Sequence, residues 1–499
     1  MNKTSLDDKT WTQQRIIDDQ ISRYLDNGKD FIDDAVLDAL LEDRTAPDRK
    51  RVEDILAKSL SVETLSPEEA ACLLRVDDPE LLDRMKETGA AVKRKVYDNR
   101  IVTFAPMYLS NHCVNNCAYC GLRRENTVIE RRALTLDEVK QEAAVLAGQI
   151  GHKRVIAVYG EHPSYDIDYM VDSIRAIYDV KVPTRRGMGE IRRVNVNAAP
   201  LSIEHLKILG EAGLGTYQVF QETYHHQTYS RIHPANTLKG NYRWRLYAMH
   251  RALETGVIDD VGLGVLFGLA DWRFEVIGLL LHNIELEKRF GIGAHTLSFP
   301  RVEPAANTPY TSRSSRRVSD ADFKKLVTVL RLAVPHAGMI VTARENADIR
   351  RQVLPLGCTQ TDASTRIGVG AYGEDTARQV GEKQQFLLGD TRSLDDVVRE
   401  LAEMGSITSF CTAGYRCGRT GRCIMELLRS GAEGKFCKMN AVLTFREWLD
   451  DFATPATKTA GEKILAVELD QIKHKMPSSY PRLLESYRRI VAGERDIYF

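Results

Sequence analysis

Cys113, Cys117 and Cys120 stand within eight residues of one another in the stretch NHCVNNCAYCGLRREN. Three thiols that close are poor packing material and good metal ligands. The spacing C-x3-C-x2-C lets three thiolates hold three irons of a 4Fe-4S cube, which leaves the fourth iron open to an outside ligand. The rival chemistry is zinc. Structural zinc takes four ligands, commonly as paired C-x2-C runs, and no second pair follows at the usual distance, although His112 is adjacent.

A second group, Cys411, Cys417, Cys423 and Cys437, lies near the C-terminus, while Cys72 and Cys358 stand alone and read as buried apolar residues. The compartment follows from what the chain lacks. Met1 to Arg15 is polar, with no apolar core for a signal peptide. No apolar run approaches the roughly 18–20 residues needed to span a bilayer. The expectation is a soluble cytoplasmic protein, where clustered cysteines bind metals rather than pair. Lysine plus arginine equals aspartate plus glutamate at 69 each. Such a balance gives no field for nucleic acid or membrane and points to small molecules or proteins as partners.

What positions the cysteines can be read from the patterning. The 499 residues allow two to four domains, or one large barrel with additions. Residues 1–90 are charge-rich and helical in pattern, with a start signal at Ser66, Pro67 and Glu69. From there β-rich runs alternate with amphipathic segments. Strands are expected at 101–109, 154–160, 192–197, 216–222, 261–268, 295–301, 338–344 and 358–364. Helices between them start at Thr135 (with Glu138), Ser202 and Ser319 (with Asp322). Eight β/α pairs predict an α/β fold, a (β/α)8 TIM-type barrel over 91–385, with a helical N-terminal extension and a mostly helical C-terminal extension over 386–499. An open doubly wound sheet gives the same alternation. In either fold functional groups gather at the C-terminal ends of the strands, and the first cysteine group follows the first strand.

C-x3-C-x2-C is the signature of the radical S-adenosylmethionine (SAM) superfamily, and the chain resembles that superfamily at further positions. Tyr119 matches the aromatic position near the adenine, and Gly160 and Glu161 match the "GE" pair after the second strand. The resemblance implies that SAM chelates the open iron. One-electron reduction, from a donor such as ferredoxin or flavodoxin, then yields a 5′-deoxyadenosyl radical. The stretches GEIRRVNVN, GTYQVFQETYH, DDVGLGVLFGL, HTLSFPRVEP and TARE resemble the radical SAM tyrosine lyases, a family that includes ThiH, and the likeness to the HydG-type members runs over nearly the whole chain.

Membership would imply cleavage of the L-tyrosine Cα–Cβ bond to p-cresol and dehydroglycine. In the HydG type, carbon monoxide and cyanide then form at a second cluster for hydrogenase maturation proteins. Arg344 and Arg301 become candidates for the tyrosine carboxylate, by bidentate hydrogen bonds. For Arg301 an internal salt bridge with Glu345 or Glu303 is an equal alternative. Glu222, His225, Asn195 and Asn197 become candidates for contact with SAM or substrate. Arg251 stands where an arginine near SAM is expected, with a surface helix position as the alternative. His295 matches the histidine that ligates an additional iron near the second cluster, against the alternative of a hydrogen-bonded core histidine.

The chain departs from the family in its second cysteine group. Cys411 and Cys437 match the first and last cysteines of the HydG motif, but Gly414 occupies the middle position. Either Cys417 or Cys423 restores a site, as a second iron–sulfur cluster or another metal, or the site is lost. Asp362 in TDASTR is a carboxylate near the substrate position, which disfavours a substrate carboxylate there. Two further alternatives stay open. One is a divergent lyase that stops at dehydroglycine or takes another amino acid. The other is a non-catalytic iron–sulfur scaffold, which would have no use for Glu161 and Arg344.

Overall fold

The computed structural model describes residues 8–43, 45–374, 379–430 and 433–499. The eight expected strands all form: Arg100–Ser110, Arg154–Tyr159, Arg193–Asn197, Tyr217–Gln218, Val261–Gly264, Thr296–Ser298, Gly338–Val341 and Gln360–Asp362. Each pairs in parallel with the next, and the eighth returns to the first through Val102–Gln360, Thr103–Thr361 and Phe104–Asp362. That closure makes the sheet a barrel rather than an open doubly wound sheet. The strands read as apolar runs because helices cover one face and packed side chains fill the other.

Helix starts follow local chemistry. Ser66 and Glu69 exchange hydrogen bonds across the first turn of Pro67–Leu74, and Thr135 and Glu138 do the same for Leu136–Ala144. Each capping box satisfies two backbone donors that a helix start leaves open. Ser202 and Ser319 cap Ile203–Glu211 and Asp320–Ala333 by one bond each, accepting from the backbone N–H of His205 and Asp322.

Some strands are shorter than the sequence pattern implies. The fourth ladder ends at Gln218, although the β-rich run continues to Glu222. Glu222 has φ of 74°, a left-handed conformation outside regular strand geometry, and only a single bridge to Val265 resumes the pairing there, at the cavity above the barrel. A ninth strand, Ile407–Ser409, adds in parallel beside Arg100–Val102 and sews the C-terminal segment onto the barrel. The helices Glu433–Asp451, Pro455–Lys475 and Tyr480–Val491 follow. Glu447 of the first of them holds Arg192, just ahead of the third strand, at 2.7 Å in a buried ion pair. Among the described residues no helix is long and apolar enough to cross a membrane.

Candidate active site

The C-terminal ends of the barrel strands enclose a cavity, and all three cysteines of the first group line it. Their loop is pinned at several points. Asn115, between the first two cysteines, accepts from the backbone N–H of Lys239 (2.8 Å) and donates to Glu161 Oε2 (2.6 Å). Val114 N–H donates to the Glu161 carbonyl (2.8 Å), and Ala118 N–H to that of Ile232 (3.0 Å). Gly160 is required here: a Cβ would lie 2.0 Å from the His112 carbonyl oxygen. Glu161 is buried, and burial pushes its carboxyl up. Among the described residues its Oε1 has no hydrogen-bond partner. A buried acceptor left open beside the cysteine loop suits an ammonium donor. The residues present therefore fit an open-iron cluster with an amino-acid ligand. His112 does not line the cavity, and its ring packs on His162 and Tyr165. Among the described residues, no three His, Cys, Asp or Glu side chains form the tight shell of a single metal ion.

The predicted polar residues divide sharply. Arg344 lines the cavity, its guanidinium 3.2 Å from the Phe386 ring centroid, and it makes no hydrogen bond or ion pair among the described residues. Arg301 does not line it. Glu345 grips Arg301 with both carboxylate oxygens, and Asp320 adds a contact at 2.8 Å. Arg301 thus occupies the internal salt bridge. Glu222 lines the cavity and meets Lys239 at 2.7 Å and Arg245 at 3.3 Å. Burial opposes its charge, but those two cations outweigh it and hold the carboxyl below the usual range. Tyr119 lines the cavity, with its hydroxyl 2.9 Å from His233 Nε2. Asn197 also lines it, whereas Asn195 turns to accept from Thr216 N–H at 3.0 Å. His225 caps the helix His226–Ile232 and lines an outer cleft. Arg251 is fully buried, stacked 3.5 Å over Trp244 and bonded to the Leu201 and Trp244 carbonyls, away from the cavity. Both oxygens of Asp362 are occupied, by Ala343 N–H (2.7 Å) and the Thr365 hydroxyl (2.8 Å). Asp362 nonetheless lines the cavity, and burial pushes its carboxyl up.

The comparisons with known proteins follow this geometry. A Radical SAM superfamily model matches residues 107–277, and a Biotin and Thiamin Synthesis associated domain model matches residues 298–407. The crystal structure of HydG, a maturase of the FeFe-hydrogenase, superposes with a TM-score of 0.89 at 44% identity, over 94% of this chain and 100% of that one. The chain belongs to the radical SAM enzymes of the tyrosine lyase type. HydG from Carboxydothermus hydrogenoformans superposes with a TM-score of 0.75 at 36% identity, over 92% of this chain and 96% of that one. The 2-iminoacetate synthase of Salmonella typhimurium is 28% identical over 360 residues, 70% of this chain and 87% of its own length. A radical SAM enzyme implies a 4Fe-4S cluster and SAM, and the cavity's donors meet that requirement.

The second cysteine group lies at the opposite end of this radical SAM barrel. Cys411 follows the ninth strand, and its carbonyl accepts from Arg154 at the start of the second (3.2 Å). Nearby, His295 Nδ1 and the Tyr415 hydroxyl both meet Asp260 Oδ2 at 2.8 Å, and Arg193 lies 4.0 Å over the Tyr415 ring. His295 thus stands at the N-terminal mouth, near the loop that carries Cys411. Cys417 and Cys423 are exposed, while Cys411 and Cys437 are half-buried. Sequence reasoning missed Asn115, Lys239, Arg245 and Gln385, which lines the cavity and donates to Cys120 Sγ at 3.4 Å, and named Glu303 only as a salt-bridge partner for Arg301. Asn115 had a signal, a polar residue inside the cysteine motif. The others come from distant segments with no spacing to mark them.

Proposed function

We propose that this enzyme cleaves L-tyrosine between Cα and Cβ, to p-cresol and dehydroglycine. The observation that carries the proposal is Arg344: a cation held in no ion pair among the described residues, in the same cavity as the three cysteines, with Glu303 and Glu222 near enough to feel its charge. Its planar fork suits a substrate carboxylate, and Phe386 holds it flat. Cys113, Cys117 and Cys120 would hold the cluster, and Glu161 with Asn197 would meet SAM. When bound, the cluster and SAM supply one-electron reductive chemistry and hydrogen abstraction. Glu222, fixed by Lys239 and Arg245, keeps a charged carboxylate at the cavity wall. Glu303 also lines the cavity, and burial together with neighbouring Glu345 pushes its carboxyl up to about 7. A carboxyl so placed can hold or release a proton at the substrate near neutral pH.

The likeness to HydG over nearly the whole chain supports a role in FeFe-hydrogenase maturation, with carbon monoxide and cyanide as later products. His295 and Cys411 at the barrel's other end support a second metal site there. Gly414 favours a second reading, in which the enzyme stops at dehydroglycine, because glycine brings no ligand to the middle position. An anaerobic assay of reconstituted enzyme with SAM, reductant and L-tyrosine tests the proposal. p-Cresol in step with 5′-deoxyadenosine supports it. 5′-Deoxyadenosine alone rejects tyrosine as substrate, and neither product from protein with an intact cluster favours the scaffold.

A further inference from the structure

Outside the cavity, a cleft of about 750 Å³ opens on the same face of the barrel. Arg231, Arg313 and Arg316 line it, all exposed, and none makes a hydrogen bond or ion pair through its side chain among the described residues. The lining carboxylates are Asp38 and Asp271, and Asp271 is already paired with Arg273 at 2.7 Å. Positive charge that no described ion pair holds therefore gathers on one surface of a chain whose net charge is zero.

The cleft's two walls attach directly to the cysteine loop. His226–Ile232, which carries Arg231, accepts from Ala118 N–H through the Ile232 carbonyl at 3.0 Å. Pro309–Arg313 follows Thr308, whose hydroxyl accepts from Arg123 at 2.8 Å, three residues past Cys120. Between cleft and cavity lies one small apolar cluster that contains Cys117, Tyr119, Ile232, Leu266, Leu269 and Val302, with Tyr310 packed against it. Leu269 and Tyr310 face the cleft; Cys117 and Tyr119 face the cavity. A single apolar cluster thus separates the cleft from the cavity at the cysteine loop.

We infer that this cleft is the docking face for a small acidic one-electron carrier protein. Radical SAM chemistry requires one electron for each cleavage of SAM: the carrier is oxidised by one electron and the cluster is reduced by one. The cleft offers the charge to attract such a partner, and one shared apolar cluster to pass the electron. Exposed arginines on an open surface favour a protein over a small anion, which needs a buried, converging set of donors. The inference rests on the cysteine loop holding a redox-active cluster, not on which amino acid is cleaved.

The test uses full-length reconstituted enzyme and reduced flavodoxin. Cluster bleaching is followed by stopped flow without tyrosine, and flavodoxin affinity is measured separately by titration. Complementary charges predict that the wild-type rate falls steeply with added salt. The triple variant R231E/R313E/R316E should lower both rate and affinity about 10- to 100-fold at low salt, with reduction by dithionite unchanged. Wild-type rates in that variant, or a rate indifferent to salt, overturn the inference. If the triple variant loses dithionite reduction as well, R231Q/R313Q/R316Q and the wild-type salt dependence decide. A failure to make p-cresol would refute the tyrosine proposal and leave this result standing.

Discussion

Removing the Arg344 guanidinium is the sharpest test of the substrate site, because it is the cavity cation that no described residue holds in an ion pair. A guanidinium that grips a carboxylate makes two charge-assisted hydrogen bonds, each worth about 1.5–3 kcal/mol. Arg344→Gln would leave the tyrosine carboxylate inside the cavity without a counter-charge, and one-sided loss of such a pair costs about 3–5 kcal/mol. At about 1.4 kcal/mol per tenfold, kcat/KM for p-cresol formation should fall roughly two to three and a half orders of magnitude. Arg344→Lys keeps the charge and loses the fork, so it should fall between variant and wild type. The assay is anaerobic p-cresol formation, with competitive binding of tyramine as a control. Tyramine lacks the carboxylate and should bind wild type and Arg344→Gln alike. An Arg344→Gln variant that weakens tyramine as much as tyrosine, or leaves kcat/KM for tyrosine intact, would refute the reasoning.

Arg301→Gln should behave oppositely: Glu345 is left buried and uncompensated, so denaturant melts should lose about 3 kcal/mol while KM for tyrosine barely moves. Gly160→Ala drives a Cβ against the His112 carbonyl oxygen, so the cysteine loop must shift; reconstituted iron and SAM affinity should both drop, with about 1–3 kcal/mol lost in stability. His226 reports on the N-terminal extension. Burial opposes its charge, but hydrogen bonds with Asp30 and Asp34 outweigh burial and raise it to about 9. The stability it contributes is fully present below about pH 6.5, the ordinary imidazole value, and is lost as pH rises through about 9, so amide exchange in Asp34–Glu42 should quicken across that window. At Gly414 an added Cβ meets only the Arg419 carbonyl oxygen, at 3.3 Å, so Gly414→Cys should fold normally. Its reconstituted iron should rise by about four per chain; unchanged iron would show that the thiol does not complete a cluster.

The strands were legible because a parallel barrel buries both faces of each one, which leaves a continuous apolar run for the eye to find. Closure was not legible. It depends on the register of Val102 against Gln360, and no local pattern encodes a pairing across that span. The gathering of the three cysteines at the cavity was legible because it is local, with thiols, turn and strand end all within one short stretch. The arginines were harder. Arg245 and Arg251 lie on either side of a break at Tyr247, in the short helices Tyr242–Leu246 and Ala248–Glu254. A single periodicity carried across that break cannot say which side chain fronts the cavity. Arg245 reaches Glu222 there, whereas Arg251 stacks on Trp244 beneath. Arg301 and Arg344 end neighbouring strands and look equivalent in the sequence. Only the position of Glu345 separates them, since a carboxylate beside the end of the seventh strand consumes the cation at the end of the sixth.

One strand organises both cysteine groups. The first strand is eleven residues long, whereas its barrel neighbours run six and three. Its N-terminal half carries the ninth strand, with Val102 paired to Ser409, two residues before Cys411. Its C-terminal half carries the second strand and ends at Ser110, three residues before Cys113. From Val102 to Ser110 is eight steps, about 26 Å along an extended chain. The extra length therefore serves as a rod that sets one thiol-bearing loop at each mouth of the barrel. A substitution that shifted the register of this strand would displace both loops at once. Changes confined to the ninth strand would move the Cys411 loop and leave the Cys113 loop where Gly160 and Asn115 hold it.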